Sequence, residues 1–252
     1  MKVRERINTR QSHGKGGLML AGPDATVWTM RRAIAQTLVA LGVAGEIDTE
    51  RTAEDKVFFE EQAKKLAHHP GDLQGAQAAI EAFDLGPGRL NQARVELGDC
   101  MLDRSVSVGA ARTRMELKRQ SGLGADHAFG ENISAIVKAK LRIEPGLVLD
   151  AATRLDDLAA FDGRDAIKQD LVAHAEKQKA LLADRDASDQ ELTKLKSRAT
   201  KLVAEAADAL AATKGSLDQR FPRQHGYVAA FFLDVAPVRS KAEPEAAEET
   251  TG

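Results

Sequence analysis

Apolar residues recur at intervals of three and four over most of this chain, the spacing that places them on one face of a helix. The first such helix is predicted to begin near Asp24 and to end at the glycines of positions 42 and 45. Its apolar face consists of Val27, Met30, Ile34, Leu38 and Leu41. This spacing is typical of a surface helix that buries one side.

Two further helices are predicted before residue 88. One runs from Thr52 to His69 and ends before Pro70-Gly71, while the next runs from Asp72 to Leu85 and is closed by Gly86-Pro87-Gly88. The buried stripe of the Thr52 to His69 helix is expected to contain Phe58, Phe59, Ala63 and Leu66.

A long helix is predicted from about residue 88 to about residue 120, with a bend at Gly98 or Gly109. The apolar residues that indicate it are Leu90, Ala93, Leu97, Met101, Val108, Ala111 and Met115. After it, the pattern loosens between Gly122 and Gly146, and this segment is interpreted as a connector.

The second half of the chain again shows helical spacing. Helices are predicted over 147–161, 164–183 and 188–217, and the last two carry the clearest coiled-coil pattern in the sequence. The polar residues 184–187 interrupt the apolar positions, and Ser188 and Glu191 have the spacing of a capping box. These observations predict two antiparallel helices joined by a short turn.

The fold class predicted from these patterns is all-α, with antiparallel helical hairpins forming a bundle. The composition agrees, because aromatic residues are only 4% of the chain and much of the 43% hydrophobic share is Ala and Leu. His127-Ala128-Phe129 and His225-Gly226-Tyr227 each follow a long helix, so either two similar halves or chance explains them. The predicted divisions are a flexible basic arm (1–22), a helical bundle half (23–122), a connector (123–146), a helical hairpin half with an aromatic C-terminal segment (147–234) and a disordered acidic tail (235–252).

Charge and cysteine content exclude several classes of protein. The net charge of -2 gives no overall attraction to nucleic acid or to an anionic membrane. A single cysteine, Cys100, excludes an intramolecular disulfide and fits a reducing compartment. The polar residues after Ile7 argue against a signal peptide, and no apolar run approaches the length of a membrane span. A soluble, cytoplasmic protein is therefore expected.

Candidate catalytic and ligand-binding residues are few. Gly14-Lys15-Gly16-Gly17 lacks the spacing of a phosphate-binding loop, and adjacent His68 and His69 point in different directions on a helix. Those two histidines are expected at a solvated helix end, His174 is expected on an apolar seam and Cys100 in the core. The sequence predicts no catalytic, cofactor-binding or metal-binding residue and no cofactor.

Two regions remain as candidates for interaction. Basic residues outnumber acidic ones over 104–142 and in the arm, which would suit phosphate groups. The aromatic cluster of Phe221 to Leu233 either fastens the last helix to the core or forms an exposed adhesive surface.

The leading hypothesis is a non-enzymatic structural or interaction protein that self-associates or packs on a protein partner, with no membrane contact. The alternative is a nucleic-acid-associated protein using the arm and the 104–142 region. An enzyme is a third class, and a pocket with converging polar groups would distinguish it.

Overall fold

The computed structural model describes residues 18–47, 52–118 and 122–235. Within these ranges the regular secondary structure is helical and contains no strand, and several helices pack against one long helix. The prediction of an all-α fold is confirmed. Most of the predicted arm and nearly all of the predicted acidic tail lie outside the described ranges.

Nine α-helices are present in the described residues. They are α1 (Val27–Ile47), α2 (Ala53–Leu66), α3 (His69–Phe83), α4 (Arg89–Leu117), α5 (Ala125–Phe129), α6 (Ser134–Val137), α7 (Glu144–Arg154), α8 (Arg164–Arg220) and α9 (His225–Ala229). A π-helical turn, Asp84–Gly88, joins α3 to α4, and a 3-10 turn, Leu155–Asp157, follows α7.

The chain forms two compact units that are interleaved along the sequence. Among the described residues, unit 1 comprises those up to Gly75 and those from Ala199 onward, and unit 2 comprises those from Ala76 to Arg198. The chain passes from one unit to the other within α3 and again within α8. The sequence-based division instead cut the chain into consecutive stretches, because local patterns carry no information about which distant helices pack together.

The core of unit 1 is built from α1, α2, the second half of α8 and α9. Thr52 caps the start of α2 by accepting a hydrogen bond from the backbone N–H of Asp55 at 3.3 Å. Phe59 of α2 is stacked on Phe221 and on Phe231, with ring centroids 5.7 Å apart in both pairs. Ala206 of α8 is fully buried in the same core, and its small side chain allows the neighbouring helices to approach α8 closely.

An ion pair adds to this aromatic core. Arg220, in the last turn of α8, donates a hydrogen bond from Nε to Asp55 Oδ1 at 2.8 Å, and its guanidinium lies 5.9 Å from the Phe58 ring centre. The Arg220 hydrogen bond holds the pKa of Asp55 below its usual value, although burial opposes this shift.

The core of unit 2 lies between α4, α5, α7 and the first half of α8. Leu102 and Val106 of α4 meet Leu171 of α8 there, and Val148 of α7 is also fully buried. The segment predicted as a connector contributes Phe129 and Ile136 to this core.

The predicted hairpin over 164–217 is wrong, because α8 is one uninterrupted helix of 57 residues. Residues 184–187 contain neither glycine nor proline, so nothing in their backbone chemistry ends the helix. Asp186 instead accepts two hydrogen bonds from Arg142, at 2.9 and 2.6 Å, and Ser188 accepts one from Asn91. The capping box predicted at Ser188 and Glu191 therefore does not exist.

Two other predicted breaks also differ from the structure. Pro70 and Gly71 lie inside the first turn of α3, where a missing backbone N–H costs nothing since the first N–H groups of a helix have no partner within it. Gly86-Pro87-Gly88 continues the helix through the π turn instead of ending it.

Candidate functional site

The most unusual surface of unit 2 is an exposed line of large apolar side chains along α4, called here the α4 stripe. Exposure within it ranges from 43% for Val108 to 68% for Met115. Its members are Leu90, Leu97, Met101, Val108 and Met115. These residues contributed to predicting the helix from sequence, yet they lie on its outer side.

The α4 stripe is long and narrow. With about 3.6 residues per turn, its five members fall within about 40° around the helix axis. Leu90 and Met115 are 25 positions apart, so the stripe extends about 38 Å along the helix. Such a width is that of a coiled-coil seam, whereas the apolar face of a helix lying on a protein core covers about 100° or more.

Charged residues of one sign accompany the stripe. Arg94, Arg104 and Arg112 lie within about 50° of its centre, while Glu96 and Glu116 lie about 80° or more away. All three arginines are exposed, and within the described parts of the chain no ion pair or hydrogen bond engages their side chains. The exposed stripe is therefore apolar with a positively charged border.

A groove of about 300 Å³ opens beside the middle of the stripe, between α4 and α8. Asp170 and His174 of α8 face it, and the His174 ring lies 3.5 Å from the Asp170 carboxylate. From α4 it is lined by Met101, Arg104, Ser105 and Val108. The groove thus offers both apolar and charged surface to an inserted side chain.

The α4 stripe is exposed because the opposite side of α4 packs against the core of unit 2. Val95, Leu102 and Val106 are buried on that side, together with the two glycines where a bend was predicted. A Cβ atom on Gly98 would overlap the Gln178 side chain of α8, and one on Gly109 would lie 3.1 Å from Ile167 Cγ2. These glycines allow α8 to approach α4 closely, and the core of unit 2 is completed without the stripe.

A second polar feature lies where α7 begins. Glu144 is only 2% exposed, and its carboxyl lies beside those of Asp103 and Asp99, which are one turn apart on α4. Burial, more than the neighbouring carboxylates, raises the pKa of Glu144 to about 9, so it is protonated at neutral pH. Three oxygens of this cluster, Asp99 Oδ1, Asp103 Oδ1 and Glu144 Oε1, are buried without a hydrogen-bond partner among the described residues.

This carboxyl cluster was not recognised from the sequence. A four-residue spacing between acids is common on solvated helix faces, and Glu144 lies far away along the chain. The groove beside the stripe does not include these carboxyls. Over the described ranges, no group of three or more His, Cys, Asp or Glu side chains is arranged to hold a metal ion.

The histidines and the cysteine singled out in the sequence agree only in part with their predicted environments. His69 begins α3 and is buried, which lowers its pKa, so the expected solvated position is wrong for His69 although His68 is exposed. Cys100 is exposed and does not belong to the core, contrary to expectation. His174 is partly buried on the α8 seam as predicted, and it also lines the groove.

The two predicted interaction regions are changed by the structure. Phe221, Phe231 and Phe232 are buried in unit 1, so the aromatic cluster fastens α9 to the core and is not an adhesive surface. In the 104–142 region, Arg114 pairs with Asp126 and Arg142 pairs with Asp186, which leaves less free positive charge than the sequence implied. Residues Gly14 to Gly17 and the basic residues before them lie outside the described part of the chain.

No helix in the described ranges has the length and apolar character needed to span a membrane. Comparisons with protein-family models, with curated proteins and with solved structures found no match to the chain.

Proposed function

We propose that this protein is a non-enzymatic helical interaction protein that binds a helix of another polypeptide through the α4 stripe. The observation that carries the proposal is the exposure of five large apolar side chains in one narrow line on a helix whose other side is fully packed. Exposed apolar patches of this kind mark interaction surfaces, because leaving them in water costs about 25 cal/mol per Å².

The geometry of the stripe favours a helix as the bound element. In heptad terms Leu90 and Leu97 fall at d positions, and Met101, Val108 and Met115 fall at a positions. Arg94, Arg104 and Ala111 take the other a and d positions, so the stripe can pack on one facing helix with positive charge beside its apolar side chains. A helix that lies on a membrane surface has a wider apolar face than this one. The facing helix can belong to a different protein or to a second copy of this chain.

Nucleic acid is the second candidate, because Arg104 and Arg112 lie in the predicted basic region and have no acidic partner in the described structure. Phosphate groups would account for these arginines. They would not account for Leu97 or Met115, which are apolar and exposed. A protein helix explains both kinds of residue.

Site-specific photo-crosslinking tests the proposal. The full chain is produced in its native cells with p-benzoylphenylalanine in place of Leu97, or in place of Leu85 as the matched control. Leu85 is also an exposed leucine, 73% accessible, but it lies outside the stripe. We expect a discrete protein adduct from position 97 and none from position 85.

Each outcome bears on the function. An adduct with another protein or with a second copy supports it. Equal adducts from both positions, or none from position 97, contradict it, and an adduct with nucleic acid from position 97 supports the second candidate.

A further inference from the structure

We propose that the occupant of the α4 stripe is an acidic amphipathic helix of another protein, with an apolar seam on Leu97 and Met101 and carboxylates beside Arg94, Arg104 and Arg112. This inference rests on the proposed function and names the chemistry of the partner. It depends on the charges that border the stripe and on the shape of the adjacent groove.

The charges that border the α4 stripe are complementary to those of an acidic helix. The three arginines nearest the stripe are exposed and unpaired within the described structure, and neither glutamate of this part of α4 lies close to it. Arg94 and Arg112 are 18 positions apart, so they lie on the same edge of the stripe, and Arg104 lies on the other edge. A facing helix with acidic residues at its e and g positions would place carboxylates along both edges.

The same charges disfavour a second copy of this chain. Two α4 helices packed along their stripes would bring six arginines into one contact with no carboxylate within about 50° of either seam. Like charges placed together in an interface are unfavourable and are a common means of excluding a wrong partner. The stripe is therefore apolar enough to attract a helix and too positive to pair with itself.

The groove gives the partner a point of entry. Arg104 stands on the α4 wall near Met101 and Val108, so an apolar side chain can enter while a neighbouring carboxylate reaches the guanidinium. Asp170, on the opposite wall, already lies against His174.

Two synthetic peptides serve as probes. Both are four-heptad helices with leucine at every a and d position, and one has glutamate and the other lysine at every e and g position. Each labelled peptide is titrated with the full chain at low and high salt, and binding is read from fluorescence anisotropy. We expect saturable binding of the glutamate peptide, weakened by salt, and binding of the lysine peptide at least about tenfold weaker.

Matched substitutions locate the binding. Leu97→Gln and Arg104→Glu are each expected to lower the affinity for the glutamate peptide by about tenfold or more, because each removes a central contact. The controls are Leu85→Gln and Arg198→Glu, which change the same residue types at exposed positions outside the stripe and are expected to have no effect. Circular dichroism of every variant verifies that the fold is retained.

Sedimentation of the full chain over a range of concentrations separates the two proposals. A concentration-dependent dimer abolished by Leu97→Gln would overturn the acidic partner while leaving the proposed function intact. Equal binding of both peptides, or no binding of either, would also overturn the acidic partner. The proposed function itself fails if position 97 gives no specific adduct with a protein in cells.

Discussion

The aromatic cluster of unit 1 and the α4 stripe of unit 2 are both sets of apolar residues in helical segments, yet their positions in the molecule are opposite. Phe59, Phe221 and Phe231 are at most 5% exposed, whereas every member of the stripe is at least 43% exposed. Both sets were conspicuous in the sequence. The aromatic cluster, which was one candidate for an adhesive surface, lies in the core. The residues of the α4 stripe, which helped to predict a helix, lie on the surface.

This difference separates apolar residues that stabilise the fold from those left for binding. Phe59 stacks on Phe221, which precedes α9, and on Phe231, which follows it, so its removal must affect folding. Leu97 contributes little to the stability of the fold, because its side chain mostly faces water. Stability measurements on the two regions therefore test which apolar residues the fold uses.

The largest effect is expected for Phe59→Ala. Removing this fully buried ring leaves a cavity among Phe221 and Phe231 and should lower the free energy of unfolding by about 3–5 kcal/mol. Urea denaturation followed by circular dichroism and by the fluorescence of Trp28, the single tryptophan, measures the loss. Leu97→Ala is the contrasting variant in the stripe, and a change within about 0.5 kcal/mol is expected. Equal losses for both substitutions would show that the stripe belongs to the folded core.

The second predicted effect is that Glu144 makes the stability of the fold depend on pH. Its pKa is raised from 4.5 to about 9 in the fold, so its stabilising contribution is complete below pH 4.5 and is lost as the pH rises toward 9. We expect Glu144→Gln to lose less stability than the wild type over this range, because the amide cannot ionise beside Asp99 and Asp103. Urea midpoints of the two proteins at several pH values measure the difference. Parallel pH profiles would show that the Glu144 carboxyl does not titrate in this way.

The smallest of the three effects concerns the buried side of α4. Gly98→Ala places a methyl group against Gln178 and Leu181, and the forced adjustment should cost about 1–3 kcal/mol. Gly215→Ala in α8 is the matched control, since no atom lies within 4 Å of its added Cβ and a gain of about 0.5–1 kcal/mol is expected. Thermal denaturation of both variants gives the comparison. A gain at both positions would contradict the close contact between α4 and α8.

Helix formation was largely predictable from local sequence. The segments of α1, α2 and α4 were placed within a few residues, because periodicity, the Thr52 cap and helix-favouring composition act locally. The continuity of α8 was missed, since residues 184–187 resemble a turn until Arg142, distant in the chain, pairs with Asp186. The candidate surface was missed for a related reason, because a periodic apolar face does not indicate whether anything covers it.

The sequence by itself determined that this protein is helical and which residues share a helix face. Spacing, capping and composition depend on neighbours a few positions apart, so they can be recognised from the sequence without knowledge of the tertiary structure. Only the tertiary structure decided that α8 packs on the glycine side of α4, that Glu144 meets two aspartates and that the stripe faces water. Those outcomes depend on contacts between residues far apart in the chain, and burial is a property of such contacts.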